Sequence, residues 1–60
     1  MTQKYEDAKN GWFALRTDGS RMGRIKEELG GFTAAVGHEG RELSIYTTKE
    51  AAWDAIAGDD

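Results

Sequence analysis

Few residues of this 60-residue chain carry side chains that commonly do catalytic chemistry. The chain has no cysteine and a single histidine, His38, which lies in a short segment bounded by glycines. The serines Ser20 and Ser44 lie in a predicted turn and a predicted strand. Nucleophilic catalysis needs a neighbouring base and a third group that orients this base, and the sequence pairs neither serine with such groups. We therefore expect a non-enzymatic protein without catalytic residues.

The paired carboxylates do not form a catalytic or metal-binding motif either. Glu27 and Glu28 point to opposite faces of a strand, so they cannot share a proton or flank a bond. Asp59 and Asp60 form an acidic tail with too few fixed ligands for calcium or magnesium. The segment 19–23 lacks the lysine of a phosphate-binding loop. We expect no metal and no cofactor.

Charge is distributed unevenly along the chain. The formal net charge is −3, yet residues 11–26 hold four cations against one carboxylate, and residues 50–60 hold four carboxylates and no cation. Charged residues mostly solvate surfaces, but regions of opposite sign also select partners of opposite charge. The basic segment and the acidic segment therefore suggest two different kinds of partner.

Size limits the stability of the domain. A chain of this length buries only ~60% of the surface that it exposes when unfolded, and it has neither the cysteines nor the histidines for a covalent or metal cross-link. The core must therefore suffice alone, with a partner or with a second copy. No segment approaches the ~18 apolar residues of a membrane span, and we expect a soluble protein.

The strongest structural signals lie at the end of the sequence. Thr47 and Glu50 fit a capping box, in which each side chain accepts a hydrogen bond from the backbone of the other residue. Gly58 is suited to the left-handed conformation that ends many helices. Ala52 and Ile56 lie one turn apart, so a stripe of small apolar residues can pack on a sheet. A C-terminal helix is predicted.

Alternating strands separated by glycine turns precede this helix. Residues 12–17 are rich in strand formers, and Asp18-Gly19 is typical of a hairpin turn. Residues 21–29 fit a returning strand, although Met22, Ile25 and Leu29 also fit one face of a helix. The interior glycine at position 23 favours the strand. Further turns at 30–31 and 38–41 separate the strands 32–36 and 43–46.

These elements predict an α+β fold of the order β-β-β-β-α. We expect an antiparallel meander of three to four strands with one helix packed on one face. Residues 1–10 are predicted as a flexible arm, residues 11–58 as the single domain, and residues 59–60 as an acidic tail. The predicted core comprises Ile25, Phe32 or Val36, Leu43, Ile45, Ala52, Trp53 and Ile56.

The sheet face without a helix is one candidate binding surface. The pattern leaves open whether Trp12 or Phe13 faces the core. If Phe13 points inward, aromatic and basic side chains share the outer face. Such surfaces bind single-stranded nucleic acid by stacking bases and neutralising phosphates. The residues of this predicted site are Trp12, Arg16, Arg21, Arg24, Lys26 and Tyr46.

A resemblance to known proteins rests on the layout of about 45 residues. It comprises Trp12-x-Ala14, Asp18-Gly19, Gly23-x-Ile25, Phe32-x-Ala34, Leu43-x-x-Tyr46 and Thr48-x-Glu50-Ala51-Ala52-x-x-Ala55-Ile56. This layout resembles small sheet-plus-helix accessory proteins of bacteriophages and bacteria, and its second half resembles HicB-type antitoxins. Size and acid excess are similar to anti-CRISPR proteins, which inhibit by covering a nucleic-acid-binding surface of a Cas complex.

The resemblance and the acidic segment together favour a protein-binding inhibitor of the anti-CRISPR type, in the cytoplasm of a bacterial host cell. Its partner is expected to be a protein with a basic nucleic-acid-binding surface, and a homodimer is a further option. The alternatives are the nucleic-acid-binding module described above and a HicB-like antitoxin. The predicted partner-binding acidic residues are Glu39, Glu42, Asp54, Asp59 and Asp60.

Overall fold

A single antiparallel sheet with one helix packed on it forms the protein. The computed structural model describes residues 3–37 and 39–59. Its elements are β1 (Tyr5–Ala8), β2 (Gly11–Leu15), β3 (Arg21–Glu28), β4 (Gly31–Val36), β5 (Arg41–Tyr46) and α1 (Lys49–Asp59). Each strand pairs with the next one along the chain, in the order β1-β2-β3-β4-β5. The predicted α+β meander with a C-terminal helix is confirmed, with five strands in the described residues instead of three to four.

The additional strand is β1, which replaces part of the flexible arm predicted for residues 1–10. Tyr5 pairs with Ala14 in the β1–β2 ladder, and the Leu15 N–H donates to the Lys4 carbonyl at 2.8 Å. The polar sequence does not predict this strand, because its pairing uses backbone N–H and C=O groups, and every residue except proline has both. Tyr5 alone adds apolar contact with the core.

Two of the predicted turns have the backbone conformation that their glycines permit. Gly19 has a φ of 91° and Gly30 a φ of 78°, in the region that side chains with a Cβ rarely enter. Asp18 reinforces the first turn, since its Oδ1 accepts from the Ser20 Oγ at 2.7 Å and from the Ser20 N–H at 2.9 Å. Between these turns, residues 21–28 form β3, and the strand interpretation of this segment is confirmed.

Gly23 lies within β3 because the helix approaches it closely. A Cβ at this position would lie 2.7 Å from Cγ2 of Ile56 and 2.4 Å from the Ala35 carbonyl oxygen. Any larger residue would push α1 away from the sheet or distort the β3–β4 pairing. The glycine therefore fixes where α1 docks.

The core lies between α1 and one face of the sheet, which we call the covered face. Ile25 and Ile56 are its largest fully buried side chains. The other buried residues of the cluster are Ala14, Met22, Ala34, Val36 and Ala52, and Trp12, Phe32, Leu43, Tyr46 and Trp53 pack against it. The predicted core is thus confirmed except at Ile45.

Ile45 and Tyr46 have the opposite orientation to the predicted one. Ile45 is 61% exposed, whereas Tyr46 packs against the core. The cause is an irregularity in β5: Thr33 pairs with Ile45 and Ala35 with Glu42, so β5 advances three residues while β4 advances two. A β-bulge of this kind reverses the alternation of every residue beyond it.

The helix begins one residue later than predicted and does not end at Gly58. The Thr48 Oγ1 accepts from the Ala51 N–H at 3.0 Å, so Thr48 is the N-cap and the predicted Thr47–Glu50 capping box is wrong. Gly58 lies within the helix and has no positive φ. Asp59 is helical instead of part of a tail, and Asp60, like His38, lies outside the described residues.

Two side chains of α1 make further contacts with the sheet. The Lys49 ammonium lies 4.4 Å from the ring centroid of Tyr5 and 4.4 Å from that of Trp12. The Trp53 Nε1–H donates to the Leu15 carbonyl at 3.1 Å. These contacts tie the helix to β1 and β2, beyond the strands β3, β4 and β5 on which it packs.

Candidate binding surface

The face of the sheet opposite α1, which we call the open face, carries no other described element. Directly paired residues of neighbouring antiparallel strands point to the same side. One such row crosses all five strands and consists of Glu6, Phe13, Arg24, Ala35 and Glu42. The row is acidic at both ends and basic in the middle, with one aromatic ring beside the arginine.

Three cations follow the central strand β3 across this face, and we call Arg21, Arg24 and Lys26 the basic strip. Arg24 and Lys26 share the face because they lie two residues apart. Arg21 joins them because the β2–β3 register shifts: Ala14 pairs with Gly23 and Leu15 with Arg21. The shift turns Met22 into the core and leaves Arg21 outside.

Phe13 lies directly beside the basic strip. The guanidinium carbon of Arg21 lies 4.1 Å from the centroid of the Phe13 ring, and that of Arg24 lies 5.4 Å from it. These distances are within the range of cation–π contacts. The ring holds both guanidinium groups close to the sheet surface.

Two members of the basic strip have carboxylate partners. The Arg21 Nε donates to the Glu6 Oε1 at 2.8 Å, and this hydrogen bond lowers the pKa of Glu6 and raises that of Arg21. The Lys26 Nζ lies 3.5 Å from the Glu28 Oε1. Within residues 3–37 and 39–59, Arg24 makes no ion pair. Arg24 is therefore the cation of the strip that is most available to an anionic ligand.

The structure brings together only part of the predicted nucleic-acid-binding set. Arg24 and Lys26 lie together on the open face with Arg21, as expected. Trp12 and Tyr46 do not, because both pack on the covered face. Arg16 lies beside the strip, where its Nη1 donates to the Ser20 Oγ at 3.0 Å and to the Arg21 carbonyl at 3.1 Å.

Phe13 is the aromatic residue of this surface, although the sequence pattern alone does not decide between Trp12 and Phe13. Its register with Arg24 decides the question, because Phe13↔Arg24 and Trp12↔Ile25 are paired positions. Ile25 is fully buried. A residue opposite a core position must itself face the core, so knowledge of the pairing would have placed Trp12 inward.

The predicted acidic surface is not assembled. Glu42 lies on the open face, whereas Asp54 lies on the helix. Burial raises the pKa of Tyr5, and the carboxylates of Glu50 and Asp54 raise it further. Asp59 pairs with Arg41 at 2.6 Å between Oδ2 and Nη2. Glu39 lies in the β4–β5 turn and Asp60 outside the described residues. Glu39 and Asp59 lie near each other at the end of the sheet where β3 begins, whereas Glu42 and Asp54 lie on opposite sides of the sheet, so the set does not form one surface.

A groove lies at the end of the sheet where β3 begins. It has a volume of about 780 Å³, and four arginines contribute to its walls together with Phe13, Glu39 and Asp59. The arginines are Arg16, Arg21, Arg24 and Arg41. The groove therefore continues the basic strip around the end of the sheet.

The described residues offer neither a cluster of metal ligands nor a helix that could span a membrane. Residues 3–37 and 39–59 contain no group of three or more metal-ligating side chains close enough to hold a metal ion. In that part of the chain, α1 is too short to cross a bilayer.

Comparisons with known proteins add no assignment. No protein-family model, no curated protein and no solved structure matches the chain.

Proposed function

We propose that this protein is a non-enzymatic binding module that holds single-stranded nucleic acid on the open face of its sheet. The observation that carries the proposal is the basic strip, which aligns three cations on the central strand beside Phe13. A cationic track that follows a backbone, with a π surface next to it, is the arrangement of many single-strand binding proteins.

The distribution of acids on the open face is compatible with this ligand. Glu6 and Glu42 lie on the edge strands β1 and β5, two strands away from β3 on either side. The Glu6 side chain nevertheless reaches the strip, since its Oε1 lies 2.8 Å from the Arg21 Nε, whereas within the described residues no ion pair joins Glu42 to the strip. A nucleic-acid strand that follows β3 therefore meets Arg24, which has no ion pair within the described residues, and Arg21 and Lys26 in exposed ion pairs.

The ion pairs of the strip do not prevent phosphate binding. The Arg21 and Glu6 side chains are 57% and 46% exposed, and those of Lys26 and Glu28 are 54% and 42% exposed. Exposed pairs of this kind are weak. A phosphate can replace either carboxylate, while Arg24 needs no partner removed.

Fluorescence anisotropy with a short labelled single strand tests the proposal. We expect binding at low salt, with an affinity that falls as salt rises and a slope of about −2 for three phosphate contacts. Arg24→Gln should weaken binding roughly tenfold, as the loss of one charge-assisted hydrogen bond predicts. Lys4→Gln is the matched control, because Lys4 lies over the Trp53 ring on the covered side. No binding at low salt, or equal effects of the two substitutions, contradicts the proposal.

A protein-binding inhibitor of the anti-CRISPR type is the second candidate. The observation in its favour is the mixed charge of the open face, where Glu6, Glu28 and Glu42 surround the basic strip. Complementary potentials of this kind select a protein partner. The antitoxin alternative has no comparable observation.

The inhibitor proposal has its own test. The purified protein should reduce target-DNA binding by at least one member of a panel of purified Cas complexes. Because Glu42 and Asp54 lie on opposite sides of the sheet, Glu42→Lys and Asp54→Lys should not both abolish the inhibition. Unimpaired target binding throughout the panel contradicts this candidate.

A further inference from the structure

The groove at the start of β3 differs from the basic strip in the density of its charge. Four arginines from three parts of the chain converge on it: Arg16 from the β2–β3 turn, Arg21 and Arg24 from β3, and Arg41 from the start of β5. Two carboxylates, Glu39 and Asp59, share its walls. The charged groups of the walls therefore have a net charge of +2, which exceeds the single negative charge of an internal phosphodiester.

The existing contacts of Arg21 and Arg41 leave donors for a ligand. Arg21 uses its Nε for Glu6 and Arg41 uses its Nη2 for Asp59. A guanidinium group has five N–H donors, so each of these side chains retains others. Arg24 has no carboxylate partner within the described residues.

We propose that the groove binds a terminal phosphate monoester of a nucleic-acid strand, an inference that rests on the proposed function. A phosphate monoester carries a charge of about −1.5 to −2 and three acceptor oxygens, and guanidinium groups bind such oxygens in pairs. The volume of about 780 Å³ lies in the range of small-ligand sites and has room for a terminal nucleotide. Arg24 belongs to both the strip and the groove, so one nucleic-acid strand can follow β3 and place its terminal phosphate among the arginines of the groove.

Three forms of one labelled single strand test this inference: 5′-phosphorylated, 3′-phosphorylated and unphosphorylated. We expect one phosphorylated form to bind roughly tenfold more tightly than the unphosphorylated strand. Arg41→Gln should remove this preference, and Arg41→Lys should restore only part of it because an ammonium lacks the guanidinium fork. Lys26→Gln, which changes the strip and not the groove, should weaken all three forms equally. Circular dichroism and the thermal midpoint show whether each variant is folded.

A second titration separates this inference from the proposed function. A nucleoside monophosphate is added to ¹⁵N-labelled protein, and the amide signals of Gly37, Gly40 and Arg41 are followed. Equal affinities of the three strands overturn the groove assignment and leave the proposed function standing. Shifts of the groove amides by the mononucleotide, without binding of any strand, overturn the proposed function and the assignment of the groove to a strand terminus, and leave a site for small phosphate monoesters. No response in either experiment overturns both.

Discussion

Cation–aromatic contacts occur on both faces of the sheet, but their surroundings differ. On the covered face, the Lys49 ammonium lies between the rings of Tyr5 and Trp12, and the contact fastens the helix. On the open face, Arg21 and Arg24 lie against Phe13 with no described element above them. A cation–aromatic cluster therefore stabilises the fold where the helix covers it, whereas on the open face we propose that it binds a ligand.

The faces also differ in how they tolerate change. Ile25 and Ile56 are fully buried on the covered face, while Ile45 on the open face is 61% exposed. Loss of volume in a packed core leaves a cavity, whereas an exposed side chain leaves only water in its place. We expect stability to depend on the covered face and binding to depend on the open face.

Ile56→Ala is the change expected to have the largest effect. It removes the largest buried side chain of the helix, in a region where Gly23 brings the strand close. We expect a loss of about 3 to 4 kcal/mol in the free energy of unfolding, enough to unfold much of a domain of this size. Urea denaturation followed by circular dichroism measures it. Ile45→Ala is the matched control on the open face, and a similar loss in both variants would remove the distinction between the faces.

Trp53→Ala should have an intermediate effect. The indole is half-buried and donates to the Leu15 carbonyl. The expected loss is about 2 kcal/mol, less than the 3 to 5 of a fully buried tryptophan. Trp53→Phe retains a ring and removes the donor, and should cost about 1 kcal/mol. Denaturant unfolding of the two variants checks the order, and a loss from Trp53→Ala under about 0.5 kcal/mol would show that the ring adds nothing to the core.

Thr48→Ala should cost about 1 kcal/mol, because Thr48 accepts the hydrogen bond from the Ala51 N–H at the helix start. Thr47→Ala is the matched control, and its effect should stay within about 0.5 kcal/mol. Thermal unfolding of both variants compares the two adjacent threonines. A larger loss of stability in Thr47→Ala than in Thr48→Ala would show that Thr47 is the N-cap, as the sequence pattern indicates.

Arg24→Gln should change stability by less than about 0.5 kcal/mol, because the side chain is exposed and has no described ion pair. The same substitution is expected to weaken strand binding. Chemical denaturation measures the stability of the variant, and it is carried out at the salt concentration of the binding assay so that stability and affinity are compared under the same conditions. A stability loss above about 1 kcal/mol would assign Arg24 to the fold.

The smallest expected effect is a pH dependence at Glu6. The Arg21 hydrogen bond lowers the Glu6 pKa from 4.5, so the folded state binds this proton less readily than the unfolded state. The stabilisation is present above the unfolded pKa and is lost as pH falls through the folded one. Glu6→Gln should therefore flatten the acid side of the stability profile below about pH 4.5. An unchanged profile in Glu6→Gln would show that the ion pair has no net effect.

Much of the fold could be predicted from the sequence because glycine turns and alternating strands are local signals. Gly19 and Gly30 mark their turns by a conformation that other residues avoid. The edge strand β1 gave no such signal, because its pairing depends on backbone groups and its side chains are polar. The helix cap was misplaced because Thr47 and Thr48 are both suitable N-cap residues, and three-dimensional geometry selects Thr48.

The candidate surface was less predictable because it depends on register. The basic residues were identified from composition, and Arg21, Arg24 and Lys26 do share one face. The aromatic residues of the surface could not be identified in this way, because the pairing of Trp12 with Ile25 and the bulge before Tyr46 determine which rings face outward. Neither a register nor a bulge has a signature in this sequence.

Amide chemical shifts of the ¹⁵N-labelled protein, recorded during a titration with an unphosphorylated single strand at low salt, test the central claim most directly. The account predicts that the largest changes fall on β2 and β3, around Phe13, Arg24 and Lys26, and that signals of α1 around Glu50 and Asp54 stay in place. Changes centred on the helix, or none anywhere, would contradict the assignment of recognition to the open face.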